Sequence, residues 1–111
     1  MSLKTDLYAC LKTLADAYPS TAPITAARPY ITFQGVGGKE HESLADGGGA
    51  PRTRVQIDVW STTAAEAESM AATAKVLLRA AFKIGEVLDN PDDFEVDTRL
   101  YRASFDVAIW V

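Results

Sequence analysis

The stretch RTRVQIDVWSTTAAEAE, residues 52–68, changes period in its middle. As far as Trp60 it alternates, with Val55, Ile57 and Val59 on one side and Arg54, Gln56, Asp58 and Trp60 on the other. A period of two is that of a strand with one apolar and one polar face. Beyond Trp60 the apolar positions recur every three or four residues, and Thr63 with Glu66 three residues later has the pattern of a capping box. A helix is therefore expected to start there and run to Lys83, with Ala67, Met70, Ala71, Ala74, Leu77, Leu78 and Ala81 along one side. Acidic residues near its start, and Lys75, Arg79 and Lys83 toward its end, suit the helix dipole. So many alanines on the buried side let this helix lie close against a sheet.

Working outward, RPYITFQGV (28–36) also alternates, with Ile31 and Phe33 opposed to Tyr30, Thr32 and Gln34. It reads as the partner strand of a long β-hairpin. Residues 2 to about 16 place Leu3, Leu7, Cys10, Leu11 and Leu14 at spacings of three and four, an amphipathic helix with Ser2 as N-cap. Pro19 and Pro23 should end it and leave a short extended edge segment. On the far side, Gly85 is the expected terminator of the second helix and DNPDD (89–93) a turn. The segment EVLDNPDDFEVDTR (86–99) adds at most one short strand. LYRASFDVAIWV (100–111) is a long strand paired on both sides, with Tyr101, Ala103, Phe105, Val107, Ile109 and Val111 facing one way. The sum is an α+β fold: a mostly antiparallel three- to four-stranded sheet with two helices packed on one face. The opposite face is expected to be wet and to carry two tryptophans among polar groups.

At 111 residues and 12.0 kDa the chain suits one domain, 1–111, and is short for two. A hydrophobic fraction of 48% with 23% charged residues allows an ordinary packed core. The formal charge of -4 argues against a general nucleic-acid binder, which needs a basic field over the phosphates. Cys10 is the only cysteine, so no internal disulfide forms, and its place on the apolar side of the first helix marks a buried thiol. There is no apolar run of membrane-spanning length, and MSLKTDLYACL mixes charges into its apolar positions, unlike a signal peptide. A soluble protein made in the cytoplasm, without a membrane partner, is expected.

The stretch GVGGKEHESLADGGGAP (35–51) contains six of the seven glycines and the only histidine, which invites a search for chemistry. A phosphate loop fails at both ends, since Phe33 stands where the first glycine is needed and Glu40 where the metal-binding hydroxyl should be. Glu40, His41 and Glu42 lack the further histidines or cysteines that close a zinc site. A Ser-His-Asp triad would draw the same His41 from a flexible loop, poor preorganisation for a general base. The acids of DNPDDFEVD suit a turn better than a catalytic pair. The arginines at 52, 54, 99 and 102 each have acidic neighbours at strand spacing, which cross-strand ion pairs explain. No catalytic residue, metal ligand or cofactor site is expected. The candidate protein-contact residues are Lys39, Glu40, His41 and Glu42 in the 37–50 loop, with Arg52, Arg54, Trp60, Arg102 and Trp110 on the polar sheet face.

Several stretches together resemble one family, the tail-completion or tail-terminator (head-tail joining) proteins of long-tailed bacteriophages. They are YPSTAP (18–23), PYITFQGVGG (29–38), RTRVQIDVWSTTAAEAESMAATAKVLLRAA (52–81) and DTRLYRASFDVAIWV (97–111), in that order and spacing. The resemblance implies a non-enzymatic virion assembly protein, often prophage-encoded, that caps the finished tail tube and joins tail to head as a hexameric ring. It implies self-association, with the major tail tube protein and the head connector protein as partners and no cofactor. Its expected place is the host cytoplasm during assembly and then the head-proximal end of the virion tail. Two other classes of function stand beside it. One is a small-molecule-binding regulatory α+β domain, on fold analogy alone. The other is an enzyme using Asp92, Asp93 and Asp97.

Overall fold

The structure is a computed structural model and describes residues 3–36 and 52–110. Its elements in chain order are α1 (Leu3–Lys12), β1 (Asp16–Pro19), β2 (Tyr30–Gly35), β3 (Arg52–Ser61), α2 (Ala64–Ala81), β4 (Ile84–Asp89), β5 (Asp93–Glu95) and β6 (Leu100–Trp110). The expected α+β fold is present, and its sheet has six strands rather than three or four. The order across the sheet is β1-β2-β3-β6-β4, with β5 following β4 along the same edge of β6. Every pairing is antiparallel except β1 with β2.

The alternation of β3 works as its sequence requires. Val55, Ile57 and Val59 are buried, and in register beside them lie Ile31 and Phe33 of β2 and Ala103, Phe105 and Val107 of β6. Both helices cover this apolar face: α2 packs on β3 and β6, and α1 on β1 and α2. Four residues of the α2 stripe, Ala67, Ala71, Ala74 and Leu78, are buried; Met70 and Leu77 are half-buried, and Ala81 is exposed. In α1, Leu7 and Leu11 are buried while Leu3 and Cys10, with Leu14 just beyond the helix, pack at the margin of the core. Half-burial pushes the Cys10 thiol above its ordinary pKa.

The capping box is half realised. Thr63 Oγ1 accepts from the Glu66 backbone N–H at 3.2 Å, as an N-cap should, but the Glu66 carboxylate turns away and accepts from the Ser61 hydroxyl. Ser61 is fully buried where β3 ends, so its hydroxyl needs a partner; its oxygen also accepts from the Thr63 N–H at 3.3 Å. This small network joins strand to helix.

Three boundaries differ from expectation. First, α1 stops at Lys12 rather than near 16, and the chain turns at 13–14, where the Thr13 hydroxyl donates to the Cys10 carbonyl at 2.7 Å. Asp16–Pro19 then leaves to pair with β2, so the extended edge segment is a parallel strand. Ser2, the expected N-cap, lies outside the described residues. Second, α2 ends at Ala81 with Phe82 in extended backbone, its N–H on the Leu78 carbonyl, so Gly85 does not terminate the helix. Gly85 lies inside β4, where an added Cβ would stand 3.3 Å from Trp110 Nε1, tighter than most contacts allow. Third, the segment 86–99 contributes the rest of β4 and all of β5, joined by an irregular link at 90–92; the expected turn of 89–93 is not there, since Asp89 and Asp93 lie in strands, and the chain turns instead at 96–99.

Candidate interaction surface

The face of the sheet away from the helices carries the polar halves of β2, β3 and β6, arranged in rows by strand register. One row runs Tyr30, Trp60, Arg102, Asp93; the next runs Thr32, Asp58, Ser104; a third runs Gln34, Gln56, Asp106. Arg54 pairs with Ala108, and Arg52 with Trp110 at the far end of β6. Alternation along the strands thus brings Arg54, Trp60, Arg102 and Trp110 to one face, with Arg52 described only by its register opposite Trp110. Register separates them: Trp60 and Arg102 are neighbours at one end, and Arg52 and Trp110 at the other. Lys39, Glu40, His41 and Glu42 lie outside the described residues.

This face is less wet than its composition suggests. Thr32, Asp58 and Ser104 are only 6%, 8% and 5% exposed, although no helix covers them. Neighbouring side chains close over them instead. The Trp60 indole N–H donates to Thr32 Oγ1 at 3.1 Å, and its ring stacks on Tyr30 at 6.2 Å between centroids, with Tyr18 edge-on beyond. The Asn90 amide donates to Ser104 Oγ at 3.0 Å and to Asp106 Oδ1 at 3.1 Å. The Gln56 amide donates to both Asp58 oxygens, at 3.1 and 3.2 Å. Thr32, Asp58 and Ser104 each thereby keep a hydrogen bond, which makes their burial without an apolar cover tolerable, whereas the buried Arg102 Nε has no partner among the described residues.

The expected cross-strand ion pairs form for two of the arginines. Arg54 reaches Glu86 at 3.6 Å across β6, and Arg102 reaches Asp93 at 4.0 Å. Both pairs are substantially solvated, so they orient side chains more than they stabilise the fold. Asp92, Asp93 and Asp97 are all exposed, and Asp93 pairs with Arg102. Among the described residues no group of three His, Cys, Asp or Glu side chains could hold a metal ion. No helix among them is long and apolar enough to cross a membrane.

The segment after β1 flanks one end of this face. Ser20 turns the chain with φ 70° and donates its N–H to the Phe33 carbonyl at 2.8 Å, and the loop to Arg28 then runs beside Tyr30 and Trp60. Between loop and sheet lies a cleft of about 280 Å³ lined by Ile24, Arg28, Tyr30, Asp58, Trp60 and Glu95, among others. Burial raises the pKa of the Tyr30 hydroxyl; Arg28 opposes the shift, and Glu95 and Tyr18 add to it. Ile24 is 86% exposed at the rim. Sequence reasoning placed Tyr30 and Asp58 on the polar face without marking either as a site residue. The signal available was Asp58 itself, an acid flanked in alternation by Gln56 and Trp60, but its burial depends on neighbours from β2 and the 20–28 loop that no local pattern reveals.

The family model described as "Tail completion protein gp17" matches residues 5–111, nearly the whole chain. The chain belongs to this family. As a tail completion protein it acts in assembly of the phage tail, contacts other components of the virion, and has its place in the virion tail. A search of curated proteins returned no match.

Proposed function

We propose that this tail completion protein caps the finished tail tube as a ring of identical subunits, six if it follows its relatives, and joins the tail to the head connector. The family match over residues 5–111 is the observation that carries this reading. The sheet supports it: one face is taken up by helices, while the other presents tryptophans, tyrosines and arginines, residue types enriched where proteins meet. The reading involves binding alone, with no covalent step and no cofactor. Assembly takes place in the host cytoplasm, and the contacts with tube, connector and neighbouring subunits include Arg52, Arg54, Trp60, Arg102 and Trp110 together with Lys39, Glu40, His41 and Glu42.

Deleting the gene from its phage and examining lysates by electron microscopy tests this directly. Unjoined heads and tails, with tubes of irregular length, are expected, and supplying the purified protein should restore joining. Deletion particles with joined tails of normal length would sink the proposal.

A further inference from the structure

The cleft beside Trp60 has a chemistry of its own. Asp58 is more than nine-tenths buried there, and its described hydrogen-bond donor is the neutral Gln56 amide. No lysine or arginine nitrogen of the described residues comes within 4.0 Å of its carboxylate, whereas Asp16, Glu86, Asp89 and Asp93 all have such partners. A buried carboxylate with one neutral donor is poorly compensated for the water it has lost, and it retains free acceptor positions. Glu95 lines the same cleft, and so do the rings of Tyr30 and Trp60, which attract cations through their faces. Arg28 is the one cation in the lining, set against two carboxylates. The two carboxylates and the two rings favour a positively charged guest, and the single Arg28 does not offset them.

The opposite end of the molecule offers one. From its N-terminus beside Ser61, α2 runs back along the sheet, so Arg79 and Lys83 emerge where β6 ends; the Lys83 carbonyl takes the Trp110 N–H at 2.9 Å. Lys4 lies at the same end, on a groove shared with Phe33 and Thr53. All three cations are exposed, and none is in an ion pair among the described residues. By strand register the acid cleft lies toward the Trp60 end of β3, and the basic residues gather at the Trp110 end of β6.

We propose that the Asp58 cleft receives a lysine or arginine side chain from the basic end of a second copy of this chain. The contact is head-to-tail, and a contact of this type closes into a ring when its rotation divides a full turn. It deepens the ring reading and rests on it. The buried carboxylate, without a cationic partner among the described residues, finds its counter-ion in the assembly.

Two measurements test the contact. Carbodiimide joins a carboxylate to a lysine without a spacer, and a mixture of ¹⁴N- and ¹⁵N-labelled chains, concentrated alone and bound to tail tubes, distinguishes links between copies from links within one. Mixed-isotope links from Glu95 to Lys83 or Lys4 are expected. Links from Glu95 only to the tube protein, or none between copies at this cleft, overturn the proposal. The second measurement is complementation by sedimentation velocity. Asp58→Asn and the double variant Arg79→Glu/Lys83→Glu should each weaken self-association about tenfold or more, as loss of a buried interfacial charge pair does. Mixed together they should form one-to-one dimers that grow no further, because each supplies one intact surface. Asp58→Asn associating like the wild type, or two impaired variants that do not complement, rejects the contact. Thermal melts of each variant separate misfolding from loss of the interface. Normal capping of tubes by Asp58→Asn, with rings intact, would reject this contact and leave the capping function standing.

Discussion

The two faces of the sheet are buried to nearly the same depth by different means. Beneath the helices, Ile57, Val59, Phe105 and Ile109 are 0% exposed through apolar packing. On the other face Thr32, Asp58 and Ser104 stay below 9% exposure through hydrogen bonds to Trp60, Gln56 and Asn90. Apolar burial is non-directional and grows with the area removed from water. Polar burial lasts only while every group keeps a partner, and a partner can be exchanged. The helix side therefore decides whether the chain folds, and the open side decides what it can meet.

The contrast can be broken by mutation, beginning with the largest expected effect. Phe105→Ala should cost about 3–5 kcal/mol in urea unfolding with the m-value unchanged, because the rigid core leaves a cavity. Trp60→Phe on the open face keeps most of the ring but loses the N–H to Thr32, and about 1 kcal/mol is expected. A loss equal to that of Phe105→Ala would mean that packing holds both faces. Thr63→Ala, which removes the α2 cap, should also cost about 1 kcal/mol and lower helical circular dichroism before the main transition. Smaller still is Arg54→Ala: its pair with Glu86 is solvated, so a loss below about 1 kcal/mol, erased by molar salt, is expected.

The finest effect is a titration. Burial raises the Tyr30 pKa, so the folded state holds the phenolic proton more tightly than the unfolded chain does. The associated stability is full below about pH 10 and is lost as pH rises through the folded value. Phenolate absorbance should show a step above the ordinary tyrosine range that Tyr30→Phe removes. Its absence would mean that the cleft is as wet as bulk solvent.

How far the fold could be read from sequence depended on whether the cause of each feature was local. The alternation of Val55, Ile57 and Val59 and the Thr63 cap are local, and both hold. Strand β1 is four residues long and pairs in parallel, a register that no pattern within DAYP specifies. In β4 a register shift between Ile84 and Val87 interrupts the alternation, and Gly85 looked like a helix stop because its reason, the nearby Trp110, lies far along the chain. The candidate face was legible as a face, since Trp60, Arg102 and Trp110 alternate onto it. The burial of Asp58 was not, because an acid on a polar strand face reads as solvated until its cross-strand neighbours are known.

Strand β6 has a kinetic consequence. It is flanked by β3 on one side and by β4 and β5 on the other, and its pairing with β3 spans the whole of α2, β4 and β5. Helix α2 and the β5–β6 hairpin can form from neighbouring residues, but the apolar face of β3 has no complete floor until β6 docks. Closing that large loop is expected to be the slow, entropy-limited event, with refolding in the range of other mixed α/β domains rather than of microsecond helical bundles. Substitutions at the β3–β6 seam, such as Val59→Ala, should therefore slow folding more than equally destabilising changes in α1, which chevron plots would reveal.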